Sequence, residues 1–294
     1  MKALPSDKNF LGIEDENLYD YGKSRFVIQQ IPYEHTSSYL QGSSKGPAAM
    51  IEASHYVEFY DEVLETETYR NVGIATLPEI NFEGKTDASA IDLIERETEK
   101  LLADRKFVVS FGAEHTVTFG LVKAHMKKFN NLSVLQIDAH SDLRDTYHGN
   151  KYSHACVMAR VHELGVNLVQ IGIRAQCKEE ADLIKSSKNI STFYAHQIRN
   201  DGGWIKKATD SLTGNVYITI DADGFDPAAV PSVGTAEPGG LFWEEVNQLL
   251  QNVVKNKNVV GFDIVEIAPT QGQILSEYTM AKLAYRLMGF IAKK

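Results

Sequence analysis

Short apolar runs rich in β-branched residues alternate along this chain with longer segments of helical periodicity, and few folds accommodate that alternation. A strand followed by a crossover helix returns parallel to its predecessor, so repeated units of this kind build a parallel sheet with helices on its faces. Eight strands are expected, near Arg25–Gln30, Val72–Thr76, Lys106–Phe111, Ser133–Asp138, Leu168–Ile173, Ile190–Tyr194, Val216–Asp221 and Val259–Ile264. Most read as near-continuous apolar runs, as strands covered on both faces require. Helices are expected over Pro47–Tyr60, Ser89–Ala103, Val117–Asn130, Glu179–Ser187, Trp243–Lys255 and Tyr278–Ala292, with Pro47 suited to a first helical turn. A length of 294 residues allows two modest domains or one large one, and 43% hydrophobic residues suffice for a sizeable core. No Gly/Ser-rich linker, low-complexity tract or fixed-period repeat breaks the pattern. Residues 1–294 therefore read as one α/β domain, a three-layer αβα arrangement around a mostly parallel, doubly wound sheet.

A formal charge of −9 repels nucleic-acid backbones and anionic lipid and suits a small cationic substrate better. The two cysteines, Cys156 and Cys177, are too few for a disulfide framework and have no CxxC spacing, which fits a reducing compartment. The start lacks an apolar signal-type stretch and no apolar run reaches membrane-spanning length, so a cytoplasmic location is expected.

In open α/β sheets the ligand site lies beyond the carboxyl ends of the strands. There, the run Leu132–Ile137 meets Asp138-Ala139-His140-Ser141-Asp142, whose three polar side chains would point the same way in extended chain. Val216–Ile220 ends in Asp221-Ala222-Asp223, and Phe107–Phe111 ends in Gly112-Ala113-Glu114-His115. Strand-end acids commonly cap turns, but capping does not account for three such clusters together. Four Asp carboxylates in one place cannot all ionise unless cations neutralise them, and two divalent ions cancel their charge. A mixed carboxylate and imidazole set favours manganese or a similar metal over thiolate-type zinc, although cobalt and nickel share those ligands. A hydroxide bridging such a pair is a nucleophile available at neutral pH.

Three other motifs carry less. Asp221-Ala222-Asp223-Gly224 opens like a calcium loop, but Asp226 and Ser232 occupy the positions that need Gly and Glu. Gly42-Ser43-Ser44-Lys45-Gly46 spells a nucleophile elbow without the preceding strand. Cys156 and His154 are two residues apart, a spacing that does not face on a helix, so Cys156 reads as a small buried thiol.

The chain resembles the ureohydrolases, the arginase and agmatinase family of binuclear manganese enzymes, most closely bacterial or archaeal agmatinases. The resemblance rests on Phe111-Gly112-Ala113-Glu114-His115-Thr116, Asp138-Ala139-His140-Ser141-Asp142, Asp221-Ala222-Asp223-Gly224-Phe225-Asp226-Pro227 and Gly261-Phe262-Asp263-Ile264-Val265-Glu266-Ile267-Ala268-Pro269, in that order. It implies the arginase-like sheet and two Mn2+ ions. His115, Asp138, Asp142 and Asp221 would hold one ion, and His140, Asp138, Asp221 and Asp223 the other, with Asp138 and Asp221 bridging. It also implies that Glu266 pairs the substrate guanidinium, that Asp142 relays a proton to the leaving amine, that His154 exchanges protons with solvent, and that the chain assembles as a trimer or hexamer. Ala113, Thr116 and the Gln271 to Gln273 stretch depart from the usual wording, the last where an acid is often seen.

The implied reaction is attack of the bridging hydroxide on a guanidinium carbon, most simply agmatine to putrescine and urea. Gly149-Asn150-Lys151-Tyr152-Ser153-His154 replaces the stretch arginases use around an α-amino acid, and Glu237 in Ala236-Glu237-Pro238-Gly239-Gly240 resembles agmatinases. Glu237 or Asp145 would receive the substrate's ammonium end. Arg144 could instead pair the carboxylate of 4-guanidinobutyrate, unless Asp145 neutralises it. Other readings are arginine as substrate, a catalytically silent metal-binding relative, and an amide hydrolase with a single zinc.

Overall fold

The computed structural model describes residues 1–294. Eight strands form one sheet: β1 (Phe26–Ile31), β2 (Ile74–Thr76), β3 (Phe107–Gly112), β4 (Leu132–Ile137), β5 (Asn167–Ile173), β6 (Ile190–Tyr194), β7 (Asn215–Asp221) and β8 (Asn258–Val265). Their order is β2-β1-β3-β8-β7-β4-β5-β6, and every pairing is parallel. The eight expected strands are all present. The four that end in acid or histidine clusters, β3, β8, β7 and β4, lie side by side in the middle of the sheet. Their ends are in register, Phe111 opposite Ile264, Ile264 opposite Ile220, and Ile220 opposite Ile137.

Alternate residues along the strands feed cores on opposite faces of the sheet, as the two-residue period of a strand demands, and Val27, Ala75 and Val108 join a smaller third cluster at one edge. Phe26, Ile28, Leu135, Ile137, Ile218 and Ile220 pack with apolar residues from α1 (Gly46–Ser54), α6 (Trp204–Asp210), α7 (Trp243–Asn256) and α8 (Leu275–Lys293). Ile31, Val134, Leu168 and Tyr217 pack with residues of α2 (Asp87–Ala103), α3 (Val117–Lys128) and α4 (Val157–Glu163), and Leu183 and Ile184 of α5 (Lys178–Ser186) lie against this second core. Full burial of each such aliphatic side chain contributes about 1.5–3 kcal/mol. In α2, the Ser89 hydroxyl accepts the Thr86 amide (3.0 Å) at the start, and Ala90, Ile91, Ile94, Leu101 and Leu102 bury one face.

The expected helix over Pro47–Tyr60 stops at Ser54, whose hydroxyl donates to the Ile51 carbonyl and accepts the Leu11 amide. Tyr60–Asp61 instead pairs antiparallel with Thr66–Glu67, in a hairpin whose turn amides at Val63 and Leu64 donate to Asp61. The strand expected from Val72 begins at Ile74, because Thr68–Val72 is a helical turn closed by Gly73 in left-handed backbone (φ 64°). The last helix starts at Leu275, three residues before the expected Tyr278. The helices α4 and α6, seven residues each, were not expected, since so short a segment shows too few turns for periodicity. No helix is long and apolar enough to cross a membrane.

Candidate metal centre

The chain leaves β4 at Ile137, and the Asp138 carboxylate turns back to accept the His140 amide (2.6 Å). The end of β7 repeats the arrangement, with Asp221 accepting the Asp223 amide (2.9 Å). These turns cross-link where the Ala139 amide donates to Asp223 (3.1 Å). Gly224 permits the approach, because a Cβ there would stand 2.8 Å from the Asp138 nitrogen. Asp142 is not presented by strand alternation, as the i, i+2, i+4 reading supposed. The strand has already ended, and Asp142 sits in left-handed backbone (φ 54°), with its carbonyl accepting the Met158 and Ala159 amides at the start of α4.

The result is a tight, buried cluster. His115 Nδ1 lies 3.0 Å from Asp142, 3.1 Å from Asp138 and 3.3 Å from Asp221, and His140 Nδ1 lies 3.0 Å from Asp223 and 3.7 Å from Asp138. His115, Asp138 and Asp142 form one group able to hold a metal ion, and Asp138, His140 and Asp223 form a second, sharing Asp138. All six expected ligands are thus brought together.

The donor set fits cations. His115 Nδ1 is buried and, although ringed by carboxylate oxygens, makes no hydrogen bond of acceptable geometry. Its other nitrogen faces the Thr219 hydroxyl (2.9 Å), which spends its only proton on Asp263 (2.6 Å). Thr219 can therefore only accept, so Nε2 carries a hydrogen in either charge state and Nδ1 is the nitrogen whose lone pair a cation would take in place of the proton that Asp138, Asp142 and Asp221 favour there. Tyr217 and Thr118 hydroxyls donate to the second Asp263 oxygen. Atoms ligating one ion at roughly 2.1 Å stand about 3 Å from each other, the spacing found around His115 Nδ1.

Uncompensated, the cluster is under electrostatic conflict. Burial, reinforced by Asp138, pushes Asp142 up to about 7, and burial with Asp223 and Asp138 pushes Asp221 well above the carboxylate range. Burial lowers His140, but Asp223 and Asp138 outweigh it and drive the imidazole up to about 12.

Glu266 follows β8 in left-handed backbone (φ 65°), its amide donating to the Ala113 carbonyl and one carboxylate oxygen accepting the His115 amide (2.7 Å). Such a conformation costs of order 1–3 kcal/mol in a non-glycine residue and clusters at functional sites. Glu266, His154, Asp142, His140, Asp221 and Asp223 all line one cavity of about 180 Å³, with Ser38, Arg144, Tyr147 and Thr235. Burial and the neighbouring imidazoles push His154 down to about 4.

One expectation about the substrate's far end is corrected. Asp145 does not neutralise Arg144; it pairs with Arg160 (2.8 Å), while the Arg144 guanidinium lies over the Tyr147 ring. Glu237 is not among the residues lining the cavity, and its carbonyl accepts Arg174 (2.9 Å). Sequence reasoning missed Thr36 and Ser38, which reach His154 from a polar stretch whose spacing carries no signal. Cys156 is buried and unpaired as expected, and Ser43 and Ser44 sit in a turn before α1 with no strand leading into them.

The arginase family model matches residues 24–289. An N(1)-aminopropylagmatine ureohydrolase of Synechocystis sp. is 44% identical, over 98% of this chain and 95% of that protein. The agmatinase of Pyrococcus horikoshii is 32% identical, over 93% and 94%. The crystal structure of agmatine ureohydrolase of Thermoplasma volcanium superposes with a TM-score of 0.84 at 30% identity, covering 97% of this chain and 94% of that one. With the match spanning nearly the whole chain and the central strand ends carrying the acid and histidine clusters, this chain belongs to the arginase family and is a ureohydrolase.

Proposed function

We propose that residues 1–294 act as one ureohydrolase domain that converts a linear alkylguanidine and water to urea and an amine. Two divalent cations, Mn2+ first among them, would be held by His115, Asp138, Asp142 and Asp221 and by His140, Asp138, Asp221 and Asp223. The observation that carries this reading is the convergence of four carboxylates and two imidazoles beside Glu266 at the ends of four adjacent strands. Bound there, the cations neutralise the carboxylates and supply the Lewis acidity that makes a nucleophile available from water at neutral pH. Glu266 takes the planar guanidinium through charge-assisted hydrogen bonds. Asp142 moves a proton from the attacking water to the leaving nitrogen. His154, neutral at pH 7 because of its burial, passes protons between that nitrogen and solvent.

The substrate's far end is chosen on the relatives. The Synechocystis protein, at 44% identity, is named for N(1)-aminopropylagmatine, and the Pyrococcus protein, at 32%, for agmatine. The aminopropyl-extended guanidine is therefore placed first and agmatine second. Arg144, lining the cavity without an acidic partner in Asp145, favours one further reading, an anionic tail such as that of 4-guanidinobutyrate. A cytoplasmic location and a trimeric or hexameric assembly belong to the same proposal. Urea release from manganese-loaded protein decides between substrates. N(1)-Aminopropylagmatine and agmatine should exceed arginine in kcat/KM by about 10²-fold or more, the scale on which an unpaired buried group discriminates. Preference for 4-guanidinobutyrate that Arg144→Ala removes would replace the cationic substrate. Bound metal with no urea from any guanidine would overturn the enzymatic reading.

A further inference from the structure

Glu114 is a fully buried acid that the mechanism leaves unused. Its carboxylate is bound by the stretch after β1: Oε1 accepts the His35 amide (2.6 Å), Oε2 accepts the Thr36 amide (2.9 Å), and Oε2 also faces the Thr36 hydroxyl (2.6 Å), while His154 Nδ1 stands 3.9 Å from Oε2, beyond direct hydrogen-bond reach. Backbone donors reach both oxygens, so the hydroxyl is the third donor and gives its one proton to Glu114. The remaining face of Thr36 Oγ1 can then only accept. Two His154 groups stand there, the backbone amide at 3.0 Å and the ring nitrogen Nδ1 at 3.1 Å.

We infer that Glu114 and Thr36 are positioning residues that hold His154 as its Nδ1–H tautomer and leave the Nε2 lone pair facing the substrate cavity. The inference rests on the proposed proton-transfer role of His154. The Thr36 hydroxyl works as a converter, turning the acceptor-only carboxylate into an acceptor aimed at the imidazole. An Nδ1 lone pair in that place would meet the lone pairs of Thr36. Ser153 Oγ, 3.3 Å from Nδ1, is a second neighbour compatible with the same N–H, and Tyr147 packs edge-on against the ring at 5.9 Å between centroids. Nε2 has only the half-open contact with Ser38 Oγ (3.3 Å), and His154 lines the cavity with Asp142 and Glu266. The relay also ties the segment after β1 to the loop carrying His154, alongside the Ser38 contact.

The test compares Thr36→Val, Thr36→Ser, Glu114→Gln and His154→Ala in the metal-loaded enzyme with the best substrate from the urea-release panel. Thr36→Val keeps the shape and deletes the hydroxyl. It should lower kcat at least tenfold, toward the roughly 10²–10⁴-fold that a general acid–base group supplies, with KM within about twofold and metal content per chain unchanged. Thr36→Ser should restore kcat to within a few-fold of wild type. Added imidazole should partly rescue His154→Ala and Thr36→Val alike. Ring ¹⁵N shifts in histidine-labelled protein, assigned through His154→Ala, should show a protonated Nδ1 in wild type and a mixture of tautomers in Thr36→Val. Glu114→Gln, which makes the Thr36 proton optional, should fall between wild type and Thr36→Val. Wild-type kcat in Thr36→Val while His154→Ala is slow would overturn the relay alone. Wild-type kcat in His154→Ala would overturn the shuttle reading. Equal loss of metal and kcat in both Thr36 variants would show Thr36 to be structural and would also overturn the relay.

Discussion

Asp221 keeps one oxygen on the Asp223 amide and places the other 3.3 Å from His115, where burial and the charges of Asp223 and Asp138 oppose its ionisation. A carboxylate in that position is unfavourable to the folded chain unless a cation shares it, so its replacement should act in opposite directions with and without metal. Asp221→Asn preserves the side chain's shape and the oxygen that accepts the Asp223 amide, while removing the charge. At pH 8 it should stabilise the chelator-treated protein by about 1–3 kcal/mol, the scale on which neutralising a poorly paired buried charge acts. The same change should destabilise the metal-loaded protein and lower its metal content. Thermal unfolding with and without chelator reads both arms, and equal destabilisation in the two states would mark Asp221 as a turn-forming residue and no ligand. Asp263 shows the other way to settle a buried acid. Three hydroxyls, from Thr219, Tyr217 and Thr118, donate to it, and its role is passed on through Thr219 to His115.

Among the elements, α3 carries a second buried histidine whose energetics are independent of the cluster. His125 donates from Nδ1 to the Leu121 carbonyl and lies against Gly261 of β8, where a Cβ would stand 2.4 Å from Nε2. Burial pushes its pKa down to about 4. The folded state therefore refuses a proton that the unfolded chain accepts near 6.5, so the contribution is complete above pH 6.5 and lost as pH falls toward 4. Relative to His125→Leu, the wild-type protein should lose about 3 kcal/mol over that window in urea unfolding. Parallel pH dependence in the two proteins would assign the acid sensitivity elsewhere. The same distinction between local and distant causes explains what could be read from the chain. The strands β3, β4, β7 and β8 were legible because each is an apolar run ending abruptly in acid or histidine, a pattern contained within about ten residues. Asp142 was found although its geometry was misjudged, since its orientation depends on amides of α4, sixteen and seventeen residues on. Thr36 and Glu114 meet across 78 residues of sequence, and no local spacing announces such a contact. Asp145 was misread for the same reason, its partner Arg160 lying on a helix too short to anticipate.

For the molecule as a whole, the net charge of −9 sets a field that favours approach of a cationic guanidine over that of a neutral or zwitterionic one. Salt screens such attraction, the Debye length shrinking from about 30 Å at 0.01 M to about 8 Å at 0.15 M. In manganese-loaded protein, kcat/KM for N(1)-aminopropylagmatine or agmatine should thus fall severalfold over that range, while that for zwitterionic 4-guanidinobutyrate changes little. Identical salt responses would show that the global charge plays no part in capture. The ordering of the sheet has a consequence of another kind. The proposed metal ligands and Glu266 sit at or just beyond four neighbouring strand ends at its centre, whereas Ser38, Arg144 and Thr235, which border the same cavity, come from the connections after β1, β4 and β7, the second of which also carries His154. Ser38 and Thr235 touch His154 and Asp223, whereas the Arg144 guanidinium lies over the Tyr147 ring and hydrogen-bonds to none of the cutting groups. A duplicated gene on this scaffold would therefore find its least disruptive first step toward a new nutrient or metabolite at that one position.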